Sequence, residues 1–244
     1  MNFIFASFLT GVYDVNRNEM LKENDFGIIQ KWYESILKLQ INAIVFHNSF
    51  SKDTVEKYSN ACIQFVEVFY DDKLKPNVFR YFIYQNYLKL NSKKILNLFV
   101  TDIADVEVLT NPFESNLFKE NSDYLFCGDE PEILDNDWMR KHCGHLRNLI
   151  PEYSLFEDLN KQQTLLNCGV IGGKFAVMQK LIDQIVEIHK TISFTNTTNY
   201  TLDMGVFNFV ARTIFSQKIL HGNPVNTVFK KYETQGSDCW FRHK

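Results

Sequence analysis

The chain has 244 residues, 45% of them hydrophobic, with 22 Phe and only 10 Gly; this composition fills a globular core and excludes disorder and glycine-rich repeats. Its 26 basic and 29 acidic side chains leave a formal net charge of −3. The two signs are interspersed, so there is no basic field of the kind that draws in nucleic acid. Cys62, Cys127, Cys143, Cys168 and Cys239 are odd in number and form no Cys-x-x-Cys pair, which points to reduced thiols in a cytoplasmic protein.

Apolar residues 3–9 read as a first strand; they lack the basic flank of a signal peptide. No apolar run reaches the ~20 residues of a transmembrane segment. Helical spacing over 28–37, with Asp25 as N-cap, predicts an amphipathic helix. Residues 43–46 and 63–68 read as short strands separated by a polar segment. A second helix spans 78–90, entered after Pro76, and the apolar run 95–100 suits a central strand covered on both faces. Beyond it the pattern is less regular: a strand at 124–127, a helix at 138–149, a strand or turn at 167–173, and helices at 175–191 and 202–215. This βαβ alternation predicts an α/β fold with a mainly parallel sheet flanked by helices. With no repeat or linker, residues 1–244 read as one domain, with a nucleotide-binding half (1–105) and a half for acceptor and donor sugar (106–244).

In such sheets ligands sit beyond the carboxyl ends of the strands. The polar residues there are Thr10 to Arg17, His47 with Asn48, and Thr101 to Asp105. The sharpest feature is Thr101-Asp102-Ile103-Ala104-Asp105-Val106, followed by Asn111-Pro112-Phe113. A buried strand ending in two carboxylates suits a hard divalent cation bridging them to substrate phosphates, although Asp after a strand also caps turns.

This stretch resembles the acidic metal-binding motif of GT-A glycosyltransferases, in a variant with two residues rather than one between the aspartates. Four further segments are similar to that family, in the same order. Thr10-Gly11-x-x-Asp14-x-x-Arg17 follows the first strand, where such enzymes hold the nucleotide. Arg80, with Tyr81, Tyr84 and Tyr87, would point a cation at the diphosphate. Asn167-Cys168-Gly169 resembles the Asn-x-Gly segment beside the donor sugar. Asp203-Met204-Gly205-Val206-Phe207-Asn208 resembles the helix start that presents an acid near the reacting carbon. His221, in His221-Gly222-Asn223-Pro224, is the natural carrier of the late histidine that completes the metal site in several GT-A groups. The alternative for it is a strand-end hydrogen bond. The tail Trp240-Phe241-Arg242-His243-Lys244 either folds over the diphosphate, bringing Lys244 to it, or frays.

The resemblance thus implies a GT-A fold and a hexosyl or deoxyhexosyl transferase. It would use Mn²⁺ (or Mg²⁺) on Asp102, Asp105 and His221, with Glu107 a further candidate. Thr10, Gly11, Asp14, Arg17, His47, Asn48, Arg80 and Lys244 would bind the nucleotide-sugar donor, with UDP the expected leaving group. Asn167 and Asp203 would act at the donor sugar, and a glycan or glycoconjugate would accept it. Because no motif marks a carboxylate as general base, retention is the expected stereochemistry. Two rival readings are a sugar nucleotidyltransferase, disfavoured by the single glycine between Thr10 and Arg17, and a non-catalytic nucleotide- or glycan-binding module. Walker and dinucleotide glycine fingerprints are absent.

Overall fold

The computed structural model describes residues 1–14, 19–193, 202–231 and 238–244. In chain order the first half runs β1 (Asn2–Phe8), the two-residue strands β2 (Tyr13–Asp14) and β3 (Glu19–Met20), α1 (Gln30–Leu39), β4 (Ala43–His47), α2 (Lys52–Tyr58), β5 (Ile63–Glu67) and α3 (Pro76–Asn91). The acidic strand β6 (Asn97–Thr101) and β7 (Val106–Val108) follow, then α4 (Asn116–Glu120), β8 (Leu125–Ile133), α5 (Asp137–Cys143) and α6 (Tyr153–Asn160). The chain continues with β9 (Thr164–Lys174), α7 (Phe175–Ser193), α8 (Asp203–Ile214), β10 (Ile219–His221) and β11 (Phe241–His243).

Seven strands form one sheet in the order β10-β8-β9-β6-β1-β4-β5. Strands β5, β4, β1 and β6 are parallel. Strand β9 runs antiparallel to both β6 and β8, and β10 is parallel to β8. The architecture is therefore α/β, with a mostly parallel central sheet flanked by helices, as the βαβ pattern predicts.

Period-two alternation sends side chains of each central strand to opposite faces. Phe5, Ile44, Phe46, Leu98 and Val100 pack with Tyr81 and Tyr84 of α3, Leu181 of α7 and Val206 of α8. Ile4, Ala6, Val45 and Phe99 pack on the other face with Trp32 and Ile36 of α1, Phe118 of α4 and Phe241 of β11. Both faces being covered, β4 and β6 read as continuous apolar runs rather than alternating ones.

The chain passes from β1 outward to β4 and β5, then returns to place β6 on the other side of β1. Strand order reverses there, which opens a crevice at the carboxyl ends of β1 and β6. Thr10 and Asp102 flank that crevice.

Several elements differ from expectation. The polar segment after β4 contains α2, capped by Ser51, whose Oγ accepts from Thr54 N at 3.2 Å; it buries no residue and so lacks an apolar stripe to betray it. Asp25 caps the short 3-10 turn Phe26–Ile28 instead of α1. The stretch 138–149 divides into α5 and a 3-10 turn, Gly144–Asn148. Strands β7 and β11, invisible as isolated three-residue runs, pair with each other. Among the described residues no helix is long and apolar enough to cross a membrane.

Candidate metal centre

Alternation along β6 decides where the acidic residues go. Thr101 faces α1, where its Oγ1 accepts a hydrogen bond from Trp32 Nε1 at 2.8 Å. Asp102, one residue on, turns to the α3 face and accepts from Arg80 Nη1. The same guanidinium donates through Nη2 to the Cys168 carbonyl at 3.0 Å and lies 4.0 Å from Asp203 Oδ2. Arg80 is only 5% exposed. An open clamp for a diphosphate would leave the fork in solvent, so Arg80 serves as a buried hub that fixes two carboxylates and β9.

The C-terminal residues complete the centre. Strand β11 lies antiparallel on β7, setting His243 opposite Val106, and Lys244 N donates to the Asp105 carbonyl at 3.1 Å. His243 Nε2 thereby comes to 3.8 Å from Asp102 Oδ2 and 3.8 Å from Asp105 Oδ2. Neither contact is a hydrogen bond. Burial lowers the His243 pKa against the opposing pull of Asp102, which favours a neutral ring. Phe229 packs against that ring at 4.6 Å between centroids. Gly169 on β9 closes the other side: a Cβ there would stand 2.3 Å from His243 Cε1 and 2.8 Å from Asp102 Oδ2. Only a glycine allows strand, imidazole and carboxylate to approach so closely.

The donor set suits a divalent cation. One ligand atom from each of Asp102, Asp105 and His243 falls within 4.8 Å of the other two. An ion with bonds of about 2.1 Å separates adjacent octahedral ligands by about 3 Å and opposite ones by about 4.2 Å. The 3.8 Å contacts lie inside that span. The His243 Nδ1 atom is buried with no hydrogen-bond partner among the described residues, so the ring's other nitrogen is the one turned to the carboxylates. Asp102 and Asp203 share the guanidinium of Arg80, so the carboxylates there outnumber it, which favours a further cation.

His221 is corrected by the fold. It pairs with Cys127 across β10 and β8, three strand spacings, or about 14 Å, from β6. Its Nδ1 instead meets Asp129 Oδ2 at 2.8 Å. The histidine beside Asp102 and Asp105 is His243. Glu107 is bound by Arg242 at 2.8 Å and by Lys244 at 2.9 Å, so Lys244 braces the β7–β11 pair, contrary to the expectation that it reaches a phosphate.

The remaining predicted residues divide. Asn48 Oδ1 accepts from Thr10 N at 2.9 Å and Asn48 Nδ2 returns a bond to the Thr10 carbonyl at 3.2 Å, locking the loops after β1 and β4 together. Gly11 follows with φ +84°, and open space surrounds its Cβ position. Asp14 ends β2, and Arg17 lies outside the described residues. His47 is buried, its Nδ1 accepts from Phe50 N at 3.2 Å, and burial lowers its pKa; it braces a loop, where a base or ribose contact was expected.

Asp203 starts α8 without capping it, since the cap residue is Leu202. It is 5% exposed, and its Oδ2 accepts from the Cys168 thiol at 3.3 Å. Asn208 pins that helix to β9 by accepting from Leu166 N at 3.1 Å and donating to Leu166 O at 2.9 Å. Asn167, also buried, accepts from Gly169 N at 2.6 Å and donates to Glu130 Oε1 at 2.8 Å. The expected site residues Asp102, Asp105, Arg80, Asn167 and Asp203 thus gather around β9 with Gly169 of the Asn-x-Gly segment, joined by His243 and Glu130, which motif reading did not place in the site. The alternation of Phe241 and His243 inward with Arg242 outward was the available signal for the first. Compared with protein-family models and with curated proteins, the chain matches neither.

Proposed function

We propose that the chain is a metal-dependent glycosyltransferase of the GT-A type, moving a sugar from a nucleoside-diphosphate donor to a glycan or other acceptor, with UDP as the leaving group. The observation that carries this reading is the convergence of Asp102, Asp105 and His243 beside the crevice where strand order reverses. Parallel α/β sheets bind their ligands in that crevice.

In this reading Asp102, Asp105 and His243 hold Mn²⁺ or Mg²⁺, which when bound offsets charge on the departing diphosphate. Arg80 orients Asp102 from behind, while Asp203 lies against the other nitrogen of the same guanidinium. The Thr10–Asn48 lock and the left-handed turn at Gly11 shape the nucleotide side of the crevice. The donor sugar lies along β9 near Gly169 and Asn167.

A thermal-shift screen of nucleotide sugars and nucleoside diphosphates, each with and without Mn²⁺, tests the proposal. A ligand that binds only the folded chain stabilises it by about 2.7 kcal/mol at a hundredfold excess over its dissociation constant. The expected result is stabilisation by UDP and a UDP-sugar only with metal, abolished in Asp102→Asn and Asp105→Asn. Metal-independent binding that both variants retain would refute the assignment.

A further inference from the structure

The acceptor proton needs a destination, and the sequence motifs name none. The pairing of β8 with β9 breaks register between Cys127 and Gly128 and again between Asp129 and Ile133. Such irregularities re-aim side chains and recur beside active sites. Glu130 sits in the second break, its carboxylate held by Asn167 Nδ2 at 2.8 Å. Asn167 is itself 5% exposed and spends its Oδ1 on Gly169 N, so it holds a neighbour more readily than it holds a ligand. Glu130, half-buried, is the group that Asn167 presents. His243 and Asp102 stand directly against Gly169. Two residues of β9 therefore link Glu130 to the metal centre.

We infer that Glu130 is the general base of the transfer, with Asn167 its positioning residue; this rests on the glycosyltransferase reading above. As the acceptor oxygen bonds to the anomeric carbon, its proton passes to the Glu130 carboxylate. The bond from that carbon to the donor phosphate oxygen breaks, and its electron pair leaves with the nucleoside diphosphate. A base on the chain removes the ground for expecting retention, so the product is inverted.

The surroundings of Glu130 are consistent with the role. Asp129 and Glu132 face it from its own strand, Lys230 from the segment after β10, and Asn167 from β9. Asp129 is held by His221. Burial dominates and raises the Glu130 pKa, with the Asn167 hydrogen bond and Lys230 opposing. A carboxylate raised toward neutrality is the stronger base.

The test uses the full chain with UDP-glucose, UDP-galactose and UDP-N-acetylglucosamine, with methyl glycosides or water as acceptor. UDP release, Mn²⁺-dependent UDP affinity and product configuration by proton NMR are read for wild type, Glu130→Gln, Glu130→Asp and Asn167→Ala. The expected result is a loss of about 100-fold or more in kcat for Glu130→Gln, unchanged UDP affinity, partial recovery in Glu130→Asp, and an inverted product. Asn167→Ala should move the acidic limb of the pH–rate profile upward, because a hydrogen bond to the ionised form is lost. Turnover of Glu130→Gln within fivefold of wild type, or a retained product, overturns the base. A wild type that neither binds UDP with Mn²⁺ nor releases it from any donor overturns the underlying reading and the base with it. Where UDP binds but no donor turns over, carboxyl ¹³C titration decides: Glu130 above the ordinary glutamate range supports the inference, and at or below it overturns it.

Discussion

Replacing Arg80 by Met separates a structural hub from a phosphate clamp. The guanidinium is 5% exposed, and its removal leaves Asp203, equally buried, without a cation among the described residues. Asp102 is 35% exposed and can recruit water in its place, so most of the cost arises at Asp203. Stranding one member of a buried ion pair costs about 3–5 kcal/mol. In a chain of this length each kcal/mol lowers the melting temperature by about 2–4 °C. Arg80→Met should therefore melt about 10 °C below wild type, measured by circular dichroism without nucleotide or metal. Neutralising the stranded charge should restore much of the loss, so Arg80→Met with Asp203→Asn should be more stable than the sum of the two single effects. A shift under about 2 °C for Arg80→Met, or strict additivity in the double variant, would refute the hub and return Arg80 to a ligand-facing role.

Other consequences follow from the same geometry. Gly169→Ala would set a Cβ 2.3 Å from His243 Cε1 and 2.8 Å from Asp102 Oδ2, so the imidazole must withdraw. Calorimetry should show Mn²⁺-dependent UDP binding weakened at least tenfold, and unchanged affinity would contradict the packing. His243→Ala should abolish the metal dependence while His221→Ala leaves it intact, and the reverse result would reinstate His221 as ligand. His189 on α7 is pushed down to about 4 by burial, from 6.5. The unfolded chain binds that proton more readily, so stability present above pH 6.5 falls by about 3 kcal/mol as pH drops through this window. Denaturant unfolding between pH 7 and 4 should show this slope and a flatter one in His189→Gln; equal slopes would argue that His189 is hydrated.

The sequence by itself determined the layered plan and the acidic end of β6. The helices over α1, α3, α7 and α8 carry a 3.6-residue apolar period, and β4 and β6 are apolar on both faces, which only a doubly covered strand requires. These are local patterns, readable because each residue's partner lies within a turn or across one pleat. Asp102 and Asp105 were legible for the same reason, standing immediately after a buried strand. The histidine that stands beside them was not. A histidine close to a turn glycine, His221, carries as much local signal as His243, and the two are told apart only by where their strands lie. β10 is held at the sheet's edge by β8, while β11 returns to pair with β7 beside the acidic loop. Arg80 was recognised on its helix, yet its burial against Asp102 and Asp203 depends on the packing of α3 and α8 around β9. Glu130 gave no motif, because its orientation depends on breaks in strand register that exist only when β8 meets β9. Hydrophobic periodicity is written along the chain. Convergence of polar atoms is set by pairings far apart in sequence, and only the tertiary structure decides it.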